Sequence, residues 1–340
     1  MSNKTILLYA EVTKENYLHT VLFELANKAH ELAKSLDNAT IAALLITKPG
    51  MLNEFKEAFE NNGFDKVYIA ENERFSNYTT ELYSKAALDI INEIQPEIIL
   101  IGATTQGRDL APRISSSLHT GLTADCIELN INEKGMLAAT RPTFGGKLMA
   151  TILCKNKPQI ATVRPKVFKP LKDIIKKNTE YIFKTPDLSN VGTNVELLKF
   201  SKNLTSSINE LDSAEIIVAG GKGLKNEEGF RLLKEFADAI GAALGASRGA
   251  VDMGLATHDM QIGQTGKTVT PKLYIACGIS GAIQHIVGMN ASDKVIAINT
   301  DKNAPIFENS DYGIIGDAFE ILPKLSQIIN DKKNMQLEQN

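Results

Sequence analysis

The chain has 340 residues, enough for two domains of ordinary size, and its 43% hydrophobic and 23% charged content is typical of a globular protein. A net charge of −3 without any basic block disfavours nucleic acid or an anionic membrane surface as a partner. No apolar stretch approaches the ~18 residues of a membrane span, so we expect no membrane insertion. Cys126, Cys154 and Cys277 are far apart and form no C-x-x-C motif. This spacing argues against a metal site, an iron–sulfur cluster or a disulfide framework and favours a cytoplasmic protein.

The first hundred residues alternate between short apolar runs and longer amphipathic stretches. We predict strands at 5–10, 40–46, 66–70 and 97–101, and helices at 18–36, 51–61, 78–94 and 108–118. Pro112 is then acceptable because it falls near the first turn of its helix. Regular strand–helix alternation predicts an α/β domain with a doubly wound parallel sheet.

The pattern changes after Thr123. Short β-like runs at 125–131, 135–141, 147–154 and 159–163 predict antiparallel strands added to the first domain, and two further strands are expected at 181–184 and 194–200. Arg141, Lys147 and Arg164 either face a partner or are solvated charges at strand ends. The polar residues 201–213 are the candidate linker, and we place the first domain at 1–205.

A second α/β domain, residues 206–330, follows with strands at 214–219, 272–277 and 294–299 and helices at 227–240 and 318–330. Residues 331–340 are expected to be a frayed polar tail. Gly278-Ile279-Ser280-Gly281 follows a strand and precedes a short predicted helix at 282–289. Such a turn presents free N–H groups to phosphate, and ligands of open α/β sheets lie at the carboxyl ends of strands. The pattern therefore predicts a dinucleotide-like cofactor.

Two common nucleotide motifs are absent here. Gln261 stands where a Walker A loop ending in GQTGKT would need glycine. Asn226 stands where the run Gly221-Lys222-Gly223 would need the last glycine of G-x-G-x-x-G. The Thr104–Asp109 turn is either a second binding loop or a tight strand-to-helix connection.

Several blocks of the second domain resemble the alpha subunits of electron-transfer flavoproteins: GGKGL at 220–224, GASRGAVD at 245–252, QIGQTGK at 261–267, LYIACGISGAIQH at 273–285 and SDYGI at 310–314. The resemblance implies an FAD-binding second domain with a deoxyhypusine-synthase-like, Rossmann-like fold. It also implies that the first domain is nucleotide-binding-like and packs on a beta subunit. TGLTADC at 120–126 and RPTFGGKLMATI at 141–152 resemble the subgroup found in anaerobes with NADH-linked complexes.

The resemblance implies sixteen FAD contacts. They are Lys222, Ser247, Arg248, Ile262, Gly263, Gln264, Thr265, Ser280, Gly281, Ala282, Ile283, Gln284, His285, Asn299, Asp317 and Ala318. Arg248 would lie against the flavin ring, and the Thr265 hydroxyl would reach its N5. Lys222 would contact phosphate as a point charge, without the bidentate fork of the arginine found in many relatives. Without the resemblance, His285 is better explained as a capped or solvated helix histidine.

No acid–base or nucleophilic constellation is present, so the chemistry would belong to the flavin. The resemblance implies a heterodimer that carries electrons from NADH or acyl-CoA dehydrogenases to an acceptor, with electron bifurcation and ferredoxin as a further hypothesis. The alternative is a NAD- or nucleotide-binding enzyme or regulatory module without a redox role.

Overall fold

The chain forms two compact units, residues 1–200 and 201–340. The structure, a computed structural model, describes residues 4–143, 148–193, 195, 197–198, 211 and 214–337. Most of the strand expected at 194–200 and all of the linker expected at 201–213 except Leu211 lie outside these described residues. None of the helices within the described ranges is long and apolar enough to cross a membrane.

Among its described residues, the first unit contains ten strands and four α-helices. The strands are β1 (Thr5–Ala10), β2 (Thr40–Thr47), β3 (Lys66–Glu71), β4 (Ile98–Gly102), β5 (Leu122–Cys126), β6 (Glu128–Ile131), β7 (Leu137–Thr143), β8 (Leu148–Leu153), β9 (Gln159–Val163) and β10 (Glu180–Lys184). The helices are α1 (Val21–Lys34), α2 (Leu52–Asn61), α3 (Thr80–Ile94) and α4 (Thr105–Ser117). A parallel seven-stranded sheet has the order β10-β3-β2-β1-β4-β9-β5, and β6-β7-β8 form a separate antiparallel sheet.

The central strands are buried on both faces, which explains their continuous apolar sequences. In β1, Ile6 and Leu8 pack into one core cluster with α1, whereas Leu7 and Tyr9 pack into the other with α3. This arrangement confirms the predicted doubly wound domain.

Two local predictions for this unit are wrong. β9 was expected to be antiparallel, but it lies between β4 and β5 in the parallel sheet. All five of its residues are buried, as a central parallel strand requires. The helix α4 begins at Thr105 because the Thr104 hydroxyl caps it by accepting a bond from the Gly107 N–H (2.9 Å). Pro112 therefore lies inside the helix and not in its first turn.

The second unit contains one parallel sheet of five strands in the order β12-β11-β13-β14-β15. Its strands are β11 (Ile216–Gly220), β12 (Ala243–Ala246), β13 (Leu273–Cys277), β14 (Val295–Asn299) and β15 (Tyr312–Ile315), and its helices are α5 (Glu227–Ile240), α6 (Arg248–Asp252), α7 (Ile283–Ile286) and α8 (Ala318–Leu337). One core cluster includes Tyr274 and Ile306, and the other includes Leu233 and Leu322.

Two helices of this unit differ in length from the prediction. α7 has only four residues, because the chain turns again at Gly288, whose N–H bonds to the His285 carbonyl (2.9 Å). α8 continues to Leu337, seven residues beyond the expected end at Asn330, and the added sequence contains no glycine or proline to stop it.

The segment 164–179, which connects β9 to β10, is fastened to α1. The Lys166 N–H donates to Oε2 of buried Glu24 (2.7 Å), and the Asn27 side-chain amide donates to the Lys169 carbonyl (2.8 Å). Arg164, which begins the segment, forms a two-point ion pair with Asp125 (3.2 and 2.7 Å). Its side chain is only 12% exposed, so it is a structural residue and not a solvated charge.

Burial raises the pKa of Glu24 to about 7, and the N–H groups of Lys166 and Phe168 oppose this shift. The folded chain therefore holds a proton more tightly than the unfolded chain, and the free energy of unfolding falls as pH rises from about 4.5 to about 7. Glu24→Gln removes this titration. We expect its stability relative to the wild type to be greater at pH 8 than at pH 5 by about 1–2 kcal/mol.

Urea unfolding at several pH values measures this difference. Glu31→Gln, at an exposed position of the same helix, is the matched control. Stability curves for Glu24→Gln and wild type that run parallel between pH 5 and pH 8 would contradict the assignment.

Candidate functional site

The second unit has a topological switch point between β11 and β13. The chain passes from β11 to β12 on one side and then returns to β13 on the other side. In open α/β sheets, ligands bind at the carboxyl ends of the strands at such a point. Residues from all five strand ends of this sheet are among the predicted contacts, so the fold brings Lys222, Arg248, Ser280, Asn299 and Asp317 to one edge.

The loops that follow β11 and β13 contact each other backbone to backbone. The Gly221 N–H donates to the Cys277 carbonyl (2.8 Å), and the Gly223 N–H donates to the Gly278 carbonyl (2.9 Å). A Cβ atom on Gly221 would lie 2.1 Å from the Gly278 oxygen. Only glycine permits this approach, which fixes the floor of the site.

The loop after β13 presents its backbone outward. Gly281 has φ +88°, and a Cβ there would lie 2.2 Å from the Ile306 nitrogen. The Ile306 N–H donates to the Ser280 carbonyl (3.0 Å). Within the described residues, the N–H groups of Ala282 and Ile283 make no hydrogen bond. These groups can bind an anion, although a helix of four residues adds little dipole.

The loop 261–267 is held against two neighbouring loops. The Ile262 N–H donates to the Ala246 carbonyl at the end of β12 (2.9 Å), and the Gln264 N–H donates to the Gln284 carbonyl (2.7 Å). Ile262 and Gly263 are buried, whereas Gln264 and Thr265 are exposed. Gln284, on the facing loop, is exposed as well. The loop therefore projects polar side chains next to the N–H groups that follow β13.

Two cations stand on adjacent loops at the other side of the site. A Cβ on Gly249 would lie 3.6 Å from Cβ of Lys222, which places the loops after β11 and β12 side by side. The Arg248 side chain is 69% exposed, and its Nε lies 3.6 Å from Asp252 Oδ2. The Ser247 hydroxyl accepts a bond from the Ala250 N–H (3.4 Å) and caps α6. Ser247 therefore positions Arg248 and also lies at the site itself.

Asn299 and Asp317 also support local structure. The Asn299 side-chain amide donates to the Ile279 carbonyl (2.9 Å), which holds the loop after β13. Asp317 Oδ1 accepts from the Phe319 N–H (3.0 Å) at the start of α8, next to buried Ala318. Asp317 Oδ2 lies 3.8 Å from the Lys225 ammonium. Sequence reasoning missed Lys225, whose φ of +65° no local pattern predicts.

His285 is buried inside the unit. Its side chain is 6% exposed, and Nε2 lies 3.0 Å from the hydroxyl of Tyr274, a second residue that sequence reasoning missed. Its Nδ1 is buried without a hydrogen-bond partner among the described residues. Burial lowers the pKa of His285 to about 4, and a weaker interaction with the Ile262 backbone opposes this shift. The ring is therefore neutral at physiological pH.

The edge as a whole fits an anionic ligand. Exposed cations and free N–H groups suit phosphate oxygens. Sequence reasoning found the loops because glycine and small residues mark them. It did not reveal which polar side chains are already used within the protein.

Comparison with known proteins gives the family of the chain. Residues 6–186 match the family model "Electron transfer flavoprotein domain", and residues 210–290 match "Electron transfer flavoprotein FAD-binding domain". The chain is 46% identical to the electron transfer flavoprotein subunit alpha of Thermoanaerobacterium thermosaccharolyticum over 97% of this chain and 99% of that protein. It is 43% identical to the subunit alpha of Megasphaera elsdenii (94% and 95% covered) and 43% identical to protein FixB of Clostridium saccharobutylicum (95% and 95% covered).

Both domains match models of one family, and full-length relatives with more than 40% identity share that assignment. The chain therefore belongs to the electron transfer flavoprotein family and is one of its alpha subunits.

Proposed function

We propose that the chain binds FAD at the carboxyl edge of the second-unit sheet and carries electrons as the alpha subunit of a heterodimer. The observation that carries this proposal is the convergence of predicted contacts from all five strand ends on one edge. The match of residues 210–290 to an FAD-binding family model supports the choice of flavin. Electrons would come from NADH or an acyl-CoA dehydrogenase-type partner.

When bound, the flavin ring would accept and release the electrons. The residues of the chain would bind and orient it. The free N–H groups of Ala282 and Ile283, together with Lys222, would hold the pyrophosphate. Arg248 would place positive charge beside the ring, and Thr265 would direct a hydrogen bond at it. Asp317 Oδ2, which lies 3.8 Å from the Lys225 ammonium, would accept a hydrogen bond from a hydroxyl of the adenosine ribose.

A beta subunit is the proposed partner of the first unit. β8 is the last strand of its antiparallel sheet and exposes Leu148 (60%), Met149 (58%) and Leu153 (46%). An apolar edge strand left open in this way is a site for association with another chain. The names of the relatives as alpha subunits support the same proposal.

Electron bifurcation is the finer proposal. It rests on the resemblance of residues 120–126 and 141–152 to the NADH-linked subgroup, in which a second FAD would lie in the beta subunit and ferredoxin would be an acceptor. Residues 122–126 form β5, where Asp125 pairs with Arg164 and Arg108, so this segment has a defined structural role as well. The number of FAD molecules per heterodimer distinguishes a bifurcating complex from a simple electron carrier.

Co-purification with the beta subunit tests the proposal. We expect a yellow complex with a flavin spectrum, and we expect two FAD per heterodimer if it bifurcates electrons. One FAD without reduction by NADH would indicate a simple electron carrier. A folded, colourless complex that takes up no flavin from excess FAD but binds NAD or ATP would contradict the proposal and favour a nucleotide-binding module without a redox role.

The cations of the site give a second prediction. We expect Lys222→Met and Arg248→Met each to weaken FAD binding by roughly 5- to 30-fold, because each removes a charge-assisted contact worth about 1–2 kcal/mol. Wild-type affinity should fall with increasing salt, and the variants should show a shallower dependence.

Fluorescence titration of the flavin-free complex with FAD at two salt concentrations measures both effects. Lys234→Met, on the exposed face of α5, is the matched control and should bind as the wild type does. Equal affinities for the site variants and this control would exclude Lys222 and Arg248 from the site.

A further inference from the structure

We infer that Gln261 is a positioning residue that turns the hydroxyl proton of Thr265 outward, toward the bound cofactor. Gln261 is not among the contacts implied by the sequence, and this role rests on the proposed FAD site. The structure places its side chain beneath the exposed Thr265, within the loop 261–267.

The hydrogen bond between the two side chains has a defined direction. The Gln261 Nε2 atom lies 2.9 Å from Thr265 Oγ1. An amide nitrogen only donates, so the threonine oxygen is the acceptor and its own proton must point elsewhere. Within the described residues, no group accepts a bond from the Thr265 hydroxyl. The exposed hydroxyl is therefore prepared to donate to an acceptor atom of a ligand.

Gln261 is fixed by the fold and not by any ligand. Its side chain is 3% exposed. Its N–H donates to the His258 carbonyl (3.0 Å), and its carbonyl accepts from the Lys267 N–H (2.7 Å). It also pairs with Ala246 at the end of β12. The amide donor is thus held in place before the cofactor arrives, so the orientation of the Thr265 hydroxyl proton is preorganised.

This orientation of the Thr265 hydroxyl affects the stability of the oxidised and the reduced flavin differently. In the oxidised ring, N5 has no proton and accepts the Thr265 hydrogen bond. Two-electron reduction with uptake of a solvent proton at N5 forms an N–H bond and converts N5 into a donor. The hydroxyl must then turn to accept, although Gln261 already occupies one of its lone pairs. Gln261 therefore stabilises the oxidised ring relative to the reduced ring.

The test is a double-mutant cycle on the FAD-loaded heterodimer, with the two-electron midpoint potential of this chain's flavin as the readout. We expect Gln261→Leu to favour reduction by about 3- to 10-fold, which equals a rise of about 14–30 mV. Thr265→Val removes the hydroxyl, so the double variant should have the same potential as Thr265→Val alone. Gln327→Leu, at an exposed position of α8, is the control and should leave the potential unchanged.

Gln261→Glu provides a second, isosteric variant if the leucine variant does not fold. Its carboxylate accepts the Thr265 proton and turns the hydroxyl inward, so we expect weaker FAD binding. Thermal unfolding of the flavin-free complexes shows whether the loop remains intact.

Two outcomes would overturn the role of Gln261 alone: flavin-loaded variants with unchanged potentials, or a shift that persists in the Thr265→Val background. A wild-type complex that binds no flavin would overturn the proposed cofactor, and this inference with it.

Discussion

The contact between the loops after β11 and β13 is the constraint on which the site depends. Two backbone hydrogen bonds join these loops, and the 2.1 Å clearance at Gly221 leaves no room for a side chain. Because the two strands feed connections that leave in opposite directions, their loops would otherwise separate at the switch point. Their direct contact gives the neighbouring loops a common floor, and the cations and N–H groups are arranged around it.

Polar groups at this edge divide into those used by the protein and those left for a ligand. Ser247, Asn299 and Asp317 each use a side-chain atom to cap a helix or to hold a loop. The N–H groups of Ala282 and Ile283 remain unbonded among the described residues. A site built in this way is preorganised, since the side chains that set its shape are already held by bonds within the chain.

Sequence patterns predicted the central strands of the two parallel sheets, because apolar runs there are buried on both faces and do not depend on distant partners for their identity. The edge strands of the second sheet, β12 and β15, were not predicted. The sequence did not show which strands lie next to each other in a sheet. β9 has no local feature that distinguishes a central parallel strand from an antiparallel one, and its position between β4 and β5 follows from tertiary packing. The short α7 likewise reflects the turn at Gly288.

The candidate site was predictable to the level of loops, since glycine-rich turns after strands are visible in the sequence. The direction in which each side chain points could not be predicted from the sequence. His285 faces Tyr274 in the interior, and Gln261 lies beneath Thr265, because of contacts between segments that are distant in the chain or folded back on themselves. These contacts decide which nitrogen or hydroxyl proton a ligand meets.

The all-parallel order of the second-unit sheet has a consequence for how the domain acquires its ligand. Each strand end that contributes to the site is separated from the next by a crossover, so no short piece of the chain contains the complete binding edge. Binding then requires the whole sheet, and a ligand that recognises only this state adds its binding free energy to the cooperativity of folding. Supply of such a ligand would thereby govern how long a newly made chain resists proteolysis, because ligand-free molecules would open more often than loaded ones.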